Sequence, residues 1–172
     1  MKNFTFALAA ILTMGTAAFA GEQYLDQTGF AVSGYDVVAY RDLTQSPIGT
    51  PQPDGIPGRS EITAEYNGAK FAFATQENRE IFLSDPAKFA PQYDGHCAYG
   101  VSKGGKVPGN PNLWRIVDGK LYLNITKNVV GFWEEDVPGN INLADNNWVD
   151  LDPLAPSDRA VPDFTSSAPV AN

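Results

Sequence analysis

Two dipeptides, Asn67-Gly68 and Asp118-Gly119, constrain this 172-residue chain more than any other feature. Each suits a two-residue type I′ turn, in which both central residues take positive φ, and each is flanked by a run with strand-like alternation. The first predicts a hairpin over residues 61–75. Its apolar face pairs Tyr66 with Ala69, Ala64 with Phe71 and Ile62 with Phe73, and its other face pairs Glu65 with Lys70 and Thr63 with Ala72. The second predicts a hairpin over 113–125 that pairs Ile116 with Leu121 and Trp114 with Leu123. Residues 36–41 read as a further short strand. Helix signals fill the gaps. Thr75 caps a helix carrying Ile81 and Phe82 that stops before Pro86, and Asp85-Pro86 starts another carrying Phe89. Thr126 caps a helix carrying Val129, Val130, Phe132 and Trp133 that ends at Pro138-Gly139. Ile141, Ala144 and Trp148 share one face of a last helical turn or two. The expectation is an α+β domain: a small antiparallel sheet built from hairpins, with short helices packed on it.

The rest of the chain frames that domain. Residues 1–20 read as an export leader: Lys2 gives a positive start, Phe4 to Met14 an apolar stretch, and Ala18-Phe19-Ala20 a small-x-small cleavage site before Gly21. The expected product is exported, to a periplasm or the medium. Residues 21–151 form the domain, with a Pro- and Gly-rich surface loop at 44–60 and a mobile Pro/Ala/Ser/Asp tail at 152–172. No segment is apolar over the length a membrane span needs. Leader removal takes Lys2 and no acid, so the formal charge moves from −8 to −9. Such acidity argues against nucleic acid and anionic membranes as partners.

The one cysteine and the one histidine are neighbours, His96-Cys97, within Tyr93-Asp94-Gly95-His96-Cys97-Ala98-Tyr99-Gly100. These side chains are the best suited to soft-metal ligation and thiol chemistry near neutral pH. A lone Cys in an exported chain makes no internal disulfide, so Cys97 is either buried and inert or put to use. A metal site needs three or four ligands, and beyond the pair only Tyr93, Asp94, Tyr99 or remote carboxylates are on offer. Thiol redox would need an external thiol to resolve it, because no second Cys exists. Tyr35, Tyr40, Tyr93, Tyr99 and Tyr122 include phenols that could ligate haem iron, but there is no Cys-x-x-Cys-His attachment motif, and these rings read mainly as core. No phosphate-cradling glycine loop or nucleophile elbow is present.

The run Gly68-Ala69-Lys70-Phe71-Ala72-Phe73-Ala74-Thr75, then Phe82, then Asp85-Pro86-Ala87-Lys88-Phe89, resembles the YHS domain. The likeness extends through Gly34-Tyr35-Asp36-Val37-Val38-Ala39-Tyr40, through 90–100, and through 114–124, and so resembles the exported, stand-alone bacterial YHS proteins over roughly residues 30 to 151. It carries two implications. Metal-handling YHS domains have Cys after the strand and again in the helix, whereas residues 73–79 here hold none. The resemblance also implies that Cys97 matches the position at which some relatives of the exported group carry selenocysteine, and so is a reactive position.

Two functions follow as expectations. One is a small ligand-binding or thiol-redox protein centred on Cys97, with His96 tuning its ionisation, Tyr93 and Tyr99 lining the site and Tyr35-Asp36 as a second wall. The other is a non-enzymatic binding or structural module in which Cys97 is packing. A metal-binding variant would use His96 and Cys97, with copper, zinc or iron as a soft transition-metal cofactor. The matching partners are a small molecule, a metal ion or an external thiol.

Overall fold

The structure is a computed structural model and describes residues 21–168. The leader expected at 1–20 lies outside the described residues.

Both hairpins form. Strands β1 (Arg59–Tyr66) and β2 (Ala69–Phe73) pair around Asn67-Gly68, whose φ values of +48° and +72° are those of the expected turn. Strands β3 (Asn110–Val117) and β4 (Lys120–Asn124) pair around Asp118-Gly119, at +50° and +76°. The register is as expected from Tyr66–Ala69 back to Thr63–Ala72, then departs. The ladder shifts, and Phe73 faces Arg59 rather than Ile62. The hairpins do not join into one sheet but remain two two-stranded sheets within an α+β fold.

Helix α1 (Gln76–Ser84) starts where Thr75 Oγ1 accepts the Asn78 amide at 3.1 Å, and α2 (Pro86–Phe89) follows Asp85. A one-turn helix α3 (Ala98–Ser102) interrupts what the sequence presents as loop. Helix α4 (Lys127–Glu134) is capped by Thr126, as expected. It buries Trp133, while Phe132 stays 52% exposed. Pro138-Gly139 does not end this helix. It opens α5 (Val137–Leu151), where Asp136 accepts the Gly139 amide at 3.0 Å. Proline fits there because first-turn amides have no intrahelical partner to lose.

Residues 36–41 are not a strand. Asp36 Oδ1 accepts the amides of Val38 (2.9 Å) and Ala39 (3.2 Å), which bends the chain into a turn followed by a 3-10 helix over Ala39–Arg41. Short polar side chains compete with extended structure in this way. Asp36 Oδ2 takes the Ala74 amide at 2.8 Å and Asn78 Nδ2 at 2.7 Å, so one buried carboxylate ties the N-terminal segment to the junction of β2 and α1.

Strand β4 separates two cores. Alternate residues of a strand face opposite ways. Leu121 and Leu123 join Val37, Phe71, Phe73, Phe82 and Phe89 on one side, and Tyr122 joins Tyr93, Val101, Trp133 and Ala144 on the other. The 44–60 segment is irregular, as expected, but is bound along β3. Gln45 pairs with both backbone groups of Ile116, and Trp114 Nε1 donates to Pro53 O at 2.8 Å. The buried Arg115–Glu134 ion pair holds Ser46 O and the Gly49 amide. The segment expected as a mobile tail packs back on the domain as far as it is described. Tyr24 donates to Arg159 O, Val161 is buried, Phe164 meets Tyr35, and Ser166 donates to Ser33 O. Its polar, Pro-rich composition hides this docking because backbone groups make most of the bonds.

Replacing Asp36 with Ala leaves four donors without their acceptor. The expected loss is roughly 3 kcal/mol, read as a lower urea midpoint at unchanged m-value.

Candidate functional site

The chain enters the His96-Cys97 region alongside β4, with isolated bridges Pro91–Leu121 and Cys97–Leu123 marking the approach. Tyr93 and Asp94 both sit at positive φ, +55° and +52°, and the reversal lets the His96 ring fold back on the segment. His96 Nδ1 lies 2.8 Å from Tyr93 O. Nε2 accepts the Ser157 amide at 3.1 Å. An acceptor at Nε2 and a carbonyl at Nδ1 define the neutral Nδ1–H tautomer. The ring is fully buried, tilted between Tyr24 and Trp148. Burial pushes its pKa down to about 4. The Tyr93 carbonyl opposes this shift, and the Lys106 charge adds to it.

Cys97 goes elsewhere. Its sulfur accepts the Gly100 amide at 3.3 Å as the N-cap of α3, and its S–H faces Asn124 Oδ1 at 3.5 Å. The residue is fully buried, and burial pushes the thiol up, against backbone amides that favour the thiolate. The expectation of a thiol activated by His96 is therefore corrected: the imidazole is spent on Tyr93 and Ser157, and Cys97 turns to β4.

The other expected site residues also separate. Tyr93 is buried against Tyr122 and Trp148 and donates to Asp145 Oδ1 at 2.8 Å. Burial and that carboxylate raise its phenol pKa. Tyr99 is half-buried, stacked on Phe132 with Lys103 over its ring. Tyr35 shares a hydrogen bond with Ser167, and Asp36 belongs to the β2–α1 junction. They form no second wall beside Cys97.

A groove of about 790 Å³ lies between the 49–54 segment, β3, the end of β4, α4 and residues 162–164. Its wall is rich in carboxamides: Asn110, Asn112, Asn124 and Asn128. Internal bonds orient three of them. Asn110 Oδ1 accepts the Asn112 amide at 2.9 Å, Asn112 Oδ1 accepts the Gly55 amide at 2.9 Å, and Asn124 Oδ1 accepts the Tyr99 amide at 3.2 Å. With each oxygen committed to a backbone N–H, each amino group is left as a donor, and none of the three has an acceptor among the described residues. Trp133, also in the wall, carries a buried indole N–H without an acceptor among them. The groove wall thus sets these amide donors beside the carboxylates Asp54, Glu134 and Asp163. Cys97 stands one layer behind it, through Asn124. Simple alternation does not reveal this pairing: Asn110 and Asn124 become cross-strand partners at the open end of the second hairpin only through a register shift between Asn110 and Trp114.

A family model described as the YHS domain matches residues 54–93, so the chain carries a YHS domain over the first hairpin, α1, α2 and the approach to Asp94. No curated protein and no solved structure matches. A soft metal, the cofactor that the metal-handling relatives imply, does not fit the residues present. The β2–α1 junction holds Asp36, already bonded to four N–H donors, and no Cys or His. His96 has no free ring nitrogen. Among the described residues no three His, Cys, Asp or Glu side chains are grouped to hold an ion.

His96 gives a pH test. The unfolded imidazole takes its proton near pH 6.5, and the folded one resists until about pH 4. Stability from the neutral ring is therefore complete above pH 6.5 and declines as pH falls towards 4, by about 3 kcal/mol in all. Asp94 titrates over an overlapping range with opposite sign, so the slope is read as wild type minus His96→Gln. Nitrogen NMR of the folded protein should find the Nδ1–H tautomer unchanged down to about pH 5.

Proposed function

We propose that this YHS domain-containing protein is a non-enzymatic binding module, exported after loss of its leader, that holds a small oxygen-rich molecule in the asparagine-lined groove. The observation that carries the reading is the set of oriented amide donors. Asn110, Asn112 and Asn124 each commit the oxygen to a backbone amide and leave the amino group for a guest. The Trp133 indole N–H in the same wall is buried without an acceptor among the described residues, which costs about 1–3 kcal/mol, a cost that a ligand rich in hydroxyl, carbonyl or carboxylate oxygen removes on binding. The buried Arg115–Glu134 pair fixes the wall on which these groups stand, and it links the 44–60 segment to α4.

The thiol-redox reading requires a sulfur that a partner thiol can reach, and Cys97 is enclosed. In the present reading Cys97 and His96 build the layer behind the groove. Cys97 starts α3, whose Tyr99 amide holds Asn124 in its orientation.

Titration with citrate and with a disaccharide, followed through the side-chain NH₂ resonances of asparagine, tests the proposal. Shifts confined to Asn110, Asn112 and Asn124 with one of these ligands are expected. Asn124→Ala should then weaken binding about tenfold, the worth of one hydrogen bond of roughly 1.4 kcal/mol. Shifts spread over other surfaces, or none with either ligand, would remove the groove as the site.

A further inference from the structure

The new N-terminus that leader cleavage would create lies in an unusual place. Gly21 is buried, and its nitrogen donates to Asp152 Oδ1 at 3.0 Å, just beyond the C-terminus of α5. Asp94 stands on the other side. Its Oδ1 is held by Gln23 Nε2, while its Oδ2 is buried and accepts from no described residue. A Cβ on Gly21 would overlap Asp152 O and Oδ1 and come within 2.8 Å of Asp94 Oδ2, so only glycine fits between the two carboxyl groups. Around it, the Tyr24 amide donates to Asp94 O at 2.8 Å, which fixes residues 21–24 against the turn that carries His96.

The charges do not balance with an ordinary peptide N–H at this point. Two acidic side chains face one hydrogen, and they can share a hydrogen bond with each other only if one keeps a proton. Lys106 is the cation at hand, but its Nζ is held by Asp152 O at 3.1 Å and Leu154 O at 2.6 Å. Glu22 adds a further negative charge nearby. Burial and the Asp152 charge accordingly push the Asp94 carboxyl up to about 6, with Lys106 opposing.

We infer that the Asp94–Asp152 pair is a receptor for the chain's own processed N-terminus: the α-ammonium of Gly21, released by cleavage after Ala20, docks between the two carboxylates and completes the fold. The inference rests on the expected leader cleavage and is independent of the groove. The step balances simply. A peptidase acting at small-x-small sites adds water across the Ala20–Gly21 amide, the acyl carbon leaves as the Ala20 carboxylate, and the Gly21 nitrogen gains protons to become an ammonium. One N–H stays on Asp152, a second has Asp94 Oδ2 as its acceptor, and the positive charge meets the negative end of the α5 dipole.

The test compares three forms of the exported protein: the mature chain beginning at Gly21, the same chain N-acetylated, and a chain that keeps Ala20 as its first residue. Intact mass of the naturally processed protein identifies the start, and a start other than Gly21 overturns the inference before any stability is measured. With the start at Gly21, the ¹⁵N-labelled amine should titrate at least one pH unit above its ordinary value of about 8. The acetylated and extended chains should melt roughly 5 °C lower, and Asp94→Asn with Asp152→Asn should abolish that difference. The pH profiles differ as well. In the acetylated chain the folded state keeps the Asp94 proton between pH 3.8 and about 6, so stability falls as pH rises through that window. In the mature chain that fall shrinks, and stability is lost instead as pH rises through the raised amine pKa. An amine titrating at its ordinary value, with equal melting of the three forms, overturns the inference. The amine titration needs only the wild-type protein and decides the matter even if the double variant fails to fold.

Discussion

The His96 imidazole is the joint on which this architecture turns. Its two ring nitrogens bind chain segments far apart in sequence: Nδ1–H holds the Tyr93 carbonyl, and Nε2 receives the Ser157 amide. The ring also packs between Tyr24 of the N-terminal segment and Trp148 of α5. One neutral side chain therefore fixes both ends of the described chain to the middle. A charged imidazolium could not accept from Ser157, so this joint depends on the ring staying unprotonated.

Much of the functional geometry follows from that fixation. The turn at Tyr93-Asp94 that satisfies His96 also presents the Asp94 carboxyl to Gly21, and it sets Cys97 beside β4 as the cap of α3. The α3 backbone then orients Asn124, and Asn124 lines the groove. The sulfur and the imidazole are enclosed, and the side-chain amide of Asn124, one layer outward, lines the groove. The acidic character of the chain is likewise partly internal: Asp36, Asp94 and Glu134 each sit within hydrogen-bond or ion-pair networks of the fold.

The sequence was most legible where a local rule met no competitor. Asn67-Gly68 and Asp118-Gly119 turn as their backbone preferences dictate, Thr75 and Thr126 cap helices, and most of both registers follows from alternation. It misled where one residue type serves two structures. Asp36-Val37-Val38-Ala39-Tyr40 has strand composition, but the Asp36 carboxylate outcompetes a ladder for the following amides. Pro138 marks either end of a helix, and only the Asp136 cap decides between starting and stopping. The adjacency of His96 and Cys97 suggested shared chemistry, but their donor atoms serve separate partners, one in the docked 152–168 segment and one in β4. The groove was hidden because its residues are distributed over β3, β4 and α4 and are joined only by tertiary pairing.

The most direct test of the claim that Cys97 is structural is its rate of modification by an aromatic disulfide reagent as denaturant increases. An enclosed thiol whose pKa is pushed up by burial should react only through opening of the fold, with the rate rising in parallel with global unfolding and slowed at least 10³-fold in native buffer relative to the denatured chain. Reaction in native buffer at the speed of a free thiol, insensitive to denaturant below the unfolding transition, would contradict the account and return Cys97 to the centre of the protein's chemistry.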